Sequence, residues 1–272
     1  MPDIPNYASP PYADFEWPAT RAALMSRLFP ALTFYGRVSW IVISASIKAR
    51  KGRYHDADWY GSSVAVREAL KLAGATISVK GTEHVAGLKG PCVIIGNHMS
   101  TAETFLLPSI LRPFRDVTFV VKQSLVQYPV FKHVMLSRNP IVVGRVNPRE
   151  DLKAVFDGGQ ERLKAGISII IFPQRTRRLE FDRESFNTIG VKLAKRAGVP
   201  VIPLALKTNA WGNGSLIKDY GPVRPEEPVK FEFGAPLTIE GNDHPVHQAV
   251  VEFIESRLRS WGMPVAETGA DS

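Results

Sequence analysis

The sequence predicts an α/β fold, a mixed and largely parallel central sheet flanked by helices, preceded by an N-terminal membrane-associating helical segment. Three observations lead there. From Asp56 onward, short apolar runs rich in Val and Ile alternate with helix-length stretches, the pattern of strands joined through helices. A chain of 272 residues, 44% apolar and 22% charged, has a globular composition and can bury a sizeable core. Ahead of that region, an uncharged run from Val38 to Ile47 leads into Lys48, Arg50, Lys51 and Arg53. The chain therefore divides into residues 1–55, an arm with membrane-associating helices, and residues 56–272, the main domain.

The arm comes first. Residues 1–18 hold five prolines and read as a loose segment, without a basic-then-apolar signal peptide. Thr20 can cap a helix carrying Leu24, Leu28 and Phe29, which Pro30 breaks or bends. A second helix carries Phe34, Tyr35, Trp40, Ile41, Ile43 and Ile47 and ends in the basic cluster. Its ten-residue uncharged run is about half of a bilayer crossing, and Arg27 and Arg37 interrupt anything longer. Aromatic residues beside cations suit a helix lying among lipid headgroups, with the cations facing anionic lipid. An ordinary amphipathic helix packed on the domain, with a solvated basic end, fits the same residues.

In the main domain, Asp56 or Asp58 starts a helix through Val64, Val66, Leu70 and Leu72 that Gly74 stops. Strands are expected at 76–80, 92–96, 117–122, 140–143, 167–172, 201–206 and 229–234. Helices fit at 102–111, 149–165, 186–197 and 245–260. The net charge of +8 and a pI near 9.6 favour a polyanionic partner: nucleic acid, an anionic membrane surface or phosphorylated substrates. No RNP, zinc-finger or helix-turn-helix signature supports nucleic acid. The single cysteine, Cys92, forbids an internal disulfide and reads as a small buried residue.

The chemistry concentrates in Val93-Ile94-Ile95-Gly96-Asn97-His98-Met99-Ser100-Thr101-Ala102-Glu103. A histidine oriented by a carboxylate can serve as a general base near neutral pH. Five residues along a helix turn by roughly 500°, placing the two side chains about 140° apart. They meet only with His98 in the strand-to-helix turn and Glu103 in the first helical turn. A hydrogen-bonded structural histidine is the plainer alternative. Ser100 lies nearby, but G-x-S-x-G is absent, which argues against a serine hydrolase. His55, His84, His133, His244 and His247 lack such spacing, and His244 and His247 beside Asp243 show no further convergent ligand, so neither a metal nor a cofactor is expected.

Arg145 ends the run Ile141-Val142-Val143-Gly144, and Arg177 follows the run 167–172, so both can project from one sheet edge toward an anion. A guanidinium grips phosphate through paired hydrogen bonds. Solvated charges at strand ends are the alternative for both.

Taken together, these segments resemble the glycerolipid acyltransferases typified by 1-acylglycerol-3-phosphate acyltransferase, over roughly residues 75–235. The family's N-H-x-x-x-x-D block is matched by Asn97 and His98, with Glu103 at the acidic position, a glutamate that acyltransferases of the lipid A pathway also use. Its second block, an arginine after an apolar strand, is matched by Arg145. Its F-P-E-G-T-R block is matched at Phe172, Pro173, Thr176 and Arg177, and its V-P-x-x-P strand at Val199, Pro200 and Pro203. Gln174 and Arg175 replace the glutamate and glycine of the third block.

The resemblance implies that residues 56–272 are an acyltransferase domain. His98 would take a proton from an acceptor hydroxyl that attacks an acyl thioester of coenzyme A or acyl carrier protein, and Glu103 would hold the imidazole. Arg145 and Arg177 would bind the headgroup of a lysophospholipid, 1-acylglycerol 3-phosphate foremost. Lys122 would bind phosphate or the developing oxyanion, and Gln174, Arg175 and Thr176 would complete the substrate site. The expected location is the cytoplasmic face of a membrane. The altered third block leaves room for another acceptor, such as an aminoacyl lipid or a glycolipid. A catalytically drifted, membrane-binding member of the fold is the other reading.

Overall fold

The computed structural model describes residues 14–20, 26, 28–215 and 217–267. The first thirteen residues of the expected arm, and most of the helix expected after Thr20, lie outside them. Residues 15–17 correct the reading of residues 1–18 as loose. Phe15–Trp17 forms strand β1, which pairs antiparallel with β2 (Ile77–Lys80). Arg67 stacks over the Trp17 ring at 4.0 Å and holds this edge down.

The expected break falls where the sequence put it: residues 26 and 28 are helical, Phe29 is not, and Pro30 opens the second helix. Helix α1 spans Pro30–Arg50 with the proline in its first turn, where its missing N–H would have been unpaired anyway. Phe34 and Val38 enter the same core as the sheet, while Leu32, Trp40, Ile43 and Ile47 stay exposed. Tyr35 donates to the Gly221 carbonyl at 2.6 Å, and burial pushes its phenol up to about 12, so it stays protonated. No helix among the described residues is long and apolar enough to cross a membrane.

Helix α2 (Asp56–Leu72) begins in a capping box, in which the Asp58 carboxylate accepts from the His55 N–H. It ends before Gly74, whose φ of +109° a side chain would resist. The remaining strands form within two residues of their expected limits: β3 Val93–Gly96, β4 Val117–Lys122, β5 Ile141–Val143, β6 Ser168–Ile171, β7 Val201–Lys207 and β8 Val229–Phe233. Between them lie α3 (Thr82–Ala86), α4 (Ala102–Leu111), α5 (Gln123–Gln127), α6 (Lys132–Leu136), α7 (Pro148–Lys164), α8 (Ile189–Ala197) and α9 (His244–Ser260). Helices α3, α5 and α6 are five residues each, too short to show a helical period in the sequence. The expected helix 186–197 starts three residues late because the Asn187 side chain accepts from the Ile189 N–H.

The eight strands form one sheet in the order β1-β2-β8-β7-β3-β6-β4-β5. The neighbours β7-β3-β6-β4-β5 are all parallel, whereas β8 runs antiparallel to β7 and carries β2 with it. The central strands β3, β6 and β7 are buried along their whole length, as strands covered on both faces must be. Because β6 and β7 flank β3, the chain leaving β3 is met by the segments following both neighbours. Active centres of open parallel sheets form at such carboxyl edges.

Cys92 sits just before β3, fully buried, with its thiol 3.3 Å from an Arg115 guanidinium nitrogen and 3.7 Å from the Ser168 hydroxyl. Burial pushes the thiol up, against the pull of Arg115.

A charged joint ties the start of α2 to the end of α4 and to the segment after α6. Asp56, in the first turn of α2, binds Arg112 at the end of α4 at 2.8 Å and Arg138 beyond α6 at 2.5 Å; Arg112 is buried and the Arg138 side chain is only 9% exposed. Asp56→Ala is expected to lower stability by about 1–3 kcal/mol, because it strips a carboxylate from two desolvated guanidinium groups. Urea unfolding of the two proteins side by side checks this.

Candidate active site

Strand β3 ends at Gly96, and Asn97 then binds β7 by both ends of its amide. Its Nδ2 donates to the Leu206 carbonyl at 2.8 Å, and its Oδ1 accepts from the Leu206 N–H at 2.9 Å. The turn thus stays joined to the sheet for one residue beyond the strand. His98 follows, held through its backbone: its N–H donates to Gln174 Oε1 at 2.6 Å, and its carbonyl accepts from the Arg178 N–H at 3.0 Å. Its ring lies flat on Phe172, with centroids 4.7 Å apart and planes 6° apart. The segment after β6 therefore supports the imidazole with a ring and the peptide with two hydrogen bonds.

Thr101 caps α4, and Glu103 points back from the first turn. Glu103 is fully buried, and one oxygen accepts from His98 Nδ1 at 3.0 Å. The same oxygen accepts the Met99 N–H at 2.7 Å, and the Ser100 N–H lies 3.0 Å from each carboxylate oxygen. The second oxygen accepts from the Thr208 hydroxyl, just past β7, at 2.8 Å, with the Ser100 hydroxyl 3.1 Å away. Burial pushes this carboxyl up, but His98, the Ser100 N–H and Thr208 together outweigh it and hold the group below the usual carboxylate range. An ionised carboxylate only accepts, so Nδ1 carries the proton, and in the neutral ring Nε2 has the lone pair. The arrangement fixes the orientation of the imidazole.

The third block surrounds the pair. Gln174 is buried with its side-chain oxygen on the backbone of His98. Arg175 has no left-handed backbone, so the position it shares with the family's glycine makes no demand for φ > 0. Its side chain is exposed, and its carbonyl accepts from the Arg145 guanidinium. Arg145 itself has φ of +59°, in a turn stitched by Asp151, whose carboxylate accepts from the Gly144 and Arg145 N–H groups at 2.7 and 2.8 Å. The Thr176 hydroxyl accepts from Lys218 at 3.0 Å. Arg177 donates to the Thr101 hydroxyl and to Asp219 at 2.7 Å. Lys122, exposed at the end of β4, pairs in register with Val143, two residues before Arg145.

His98, Glu103, Gln174, Arg175, Thr176, Arg177 and Arg145 thus share one connected set of loops at the carboxyl edge, with Lys122 on the strand beside it. Among the described residues, no three or more His, Cys, Asp or Glu side chains converge as a metal site would need.

The sequence model of the Acyltransferase family matches residues 76–207, which contain every one of these strand ends up to β7. The 1-acyl-sn-glycerol-3-phosphate acyltransferase of Pseudomonas aeruginosa is 32% identical over 255 residues, covering 93% of this chain and 91% of the relative. The chain belongs to the glycerolipid acyltransferase family. It is an O-acyltransferase. A coconut (Cocos nucifera) enzyme of the same name is 25% identical over 81% of the chain and 70% of its own length. The crystal structure of the 1-acyl-sn-glycerophosphate acyltransferase PlsC from Thermotoga maritima shares the fold, with a TM-score of 0.65 at 17% identity over 90% of this chain and 99% of that one.

In this acyltransferase, sequence reasoning missed Ser100 as a partner of Glu103, and it missed Thr208 and Asp219 altogether. Ser100 carried a usable signal, a hydroxyl three residues before a buried acid. Thr208 and Asp219 carried none, since each meets its partners only after β7 has been laid beside β3.

Thr208→Val keeps the side-chain shape and removes one donor from Glu103. A depressed carboxyl contributes stability in full above its unfolded pKa, roughly 4, and loses it as pH falls toward the folded value. Losing the Thr208 donor raises that folded value, so the variant is expected to be about 1–3 kcal/mol less stable at neutral pH and to begin losing stability at a higher pH than the parent. Thermal melts between roughly pH 4 and pH 7 test both statements.

Proposed function

We propose that this acyltransferase moves a fatty acyl group from a coenzyme A or acyl carrier protein thioester to the free hydroxyl of 1-acylglycerol 3-phosphate, at the anionic, cytoplasmic face of a membrane. One observation carries the reading: an ionised, buried Glu103 fixes the proton of His98 on Nδ1 and leaves Nε2 as a base. His98 Nε2 takes the proton of the acceptor hydroxyl as its oxygen attacks the thioester carbonyl, and Glu103 stabilises the imidazolium that forms. The tetrahedral intermediate then expels the thiolate, which recovers the proton from His98. The new ester forms without a covalent acyl-enzyme.

Arg177 and Arg145 bind the acceptor's phosphate, and Lys122, Arg175 and Thr176 border it. Gln174 acts one step back, by holding the His98 peptide. The names of the bacterial and plant relatives support this acceptor.

The membrane reading rests on α1. Leu32, Trp40, Ile43 and Ile47 fall within an arc of about 80° on a regular helix, with Trp40 72% and Leu32 67% exposed. Arg50 and Lys51 end the helix, exposed, beside this stripe. An apolar stripe in water with a basic end suits an interfacial helix on anionic lipid.

Release of free thiol, followed with acyl-CoA and acyl carrier protein against a panel of lysolipid, glycolipid and aminoacyl-lipid acceptors, tests donor and acceptor together. Turnover is expected to require 1-acylglycerol 3-phosphate and to fall by about two to four orders of magnitude in His98→Ala with the fold retained. Undiminished turnover in that variant removes His98 from the chemistry. Separately, the pair Trp40→Asp and Ile43→Asp is expected to cut co-sedimentation with anionic vesicles by about tenfold or more without lowering the melting temperature. Unchanged sedimentation removes α1 from the membrane contact.

A further inference from the structure

Arg177 is not waiting for an anion. Its guanidinium already holds Asp219 Oδ1 at 2.7 Å, and the same oxygen accepts from the Thr101 hydroxyl at 2.8 Å. The two donors approach from the segment after β6 and from the cap of α4, two residues before Glu103. The Arg177 side chain is mostly buried, 18% exposed, while that of Asp219 is 49% exposed. The carboxylate therefore closes the pair from the solvent side, the side from which a substrate arrives.

The backbone around Asp219 is anchored. Its carbonyl accepts from the Trp211 indole at 2.9 Å, Tyr220 packs on Tyr35 with ring centroids 5.0 Å apart, and the Gly221 carbonyl accepts from the Tyr35 hydroxyl. The side chain can leave Arg177 by turning about its own bonds while the main chain stays put. Lys218, on Thr176 at 3.0 Å, keeps a second cation beside the vacated position.

We propose that the Asp219 carboxylate holds the position of an acceptor phosphate oxygen, so that acceptor binding exchanges one anion for another on Arg177 and Thr101. This rests on the assignment of Arg177 to the acceptor phosphate. The placeholder keeps Arg177 aimed in the empty enzyme and raises the requirement for entry: an incoming group must outbid a carboxylate. A phosphate monoester, with close to two charges and three acceptor oxygens, does so, and an uncharged headgroup does not. Asp219 thereby sets how strongly an acceptor's phosphate must bind before it engages Arg177.

The test compares the full-length parent with Asp219→Asn and Asp219→Ala at a fixed thioester concentration. The acceptors are 1-acylglycerol 3-phosphate and uncharged 1-acylglycerol, and inorganic phosphate serves as competing anion. Removing a partly exposed competing charge is expected to lower both the KM for the phosphorylated acceptor and the Ki of inorganic phosphate by about fivefold, and to leave the KM for the uncharged acceptor unchanged within about twofold. Unchanged or raised values for the phosphorylated acceptor and for phosphate overturn the proposal. Arg177→Ala separates the two levels. If it leaves the KM for the phosphorylated acceptor untouched, the assignment of Arg177 fails. If it raises that KM while the Asp219 variants do not lower theirs, the placeholder alone fails.

Discussion

A carboxylate buried away from water must be given donors, and in this chain the donors to Glu103 organise the candidate active site. A fully buried ionised acid costs several kcal/mol unless its lone pairs are filled. Here they are filled by an imidazole, two backbone N–H groups and the hydroxyl of Thr208. These donors belong to the β3–α4 turn and to the end of β7. Satisfying one side chain therefore requires β7 to lie beside β3 and the turn to fold back over the first residues of α4. The orientation of the imidazole follows from that requirement. The single imidazole tautomer is the chemical yield of an electrostatic necessity.

The same logic explains the altered third block. Its glutamine serves the backbone of His98, and a glutamine oxygen accepts an N–H as well as a carboxylate would, without placing a second charge beside Glu103. At position 175 the backbone stays out of the left-handed region, so a long cation fits where relatives have glycine. The left-handed backbone of this region is at Arg145, whose turn is held by the two oxygens of Asp151. Strained geometry of this kind persists where neighbours over-determine it, and it is common at binding sites.

Much of this was legible in the sequence, and the reasons differ by residue. The runs Val93–Gly96, Ser168–Ile171 and Val201–Lys207 announce themselves because strands covered on both faces are apolar throughout. The meeting of His98 and Glu103 follows from helical geometry alone, since five residues apart they can touch only across a helix start. What could not be read depends on partners distant in sequence: Gln174 on His98 across 76 positions, Thr208 on Glu103 across 105, and Arg177 on Asp219 across 42. Strand β1 escaped notice for a related reason. Three residues pair only because β2 offers an edge, and nothing within Phe15–Trp17 states that.

Cys92 makes the chain its own gauge of opening. The only thiol in the sequence lies at the foot of β3, under the Arg115 side chain and out of reach of solvent. An alkylating reagent can modify it only when β3 parts from its surroundings, so the rate of labelling reads how often the centre of the sheet comes undone. No engineered probe is needed. In the folded protein that sulfur stays silent toward colorimetric thiol reagents, and the thiol counted during turnover is the leaving group alone.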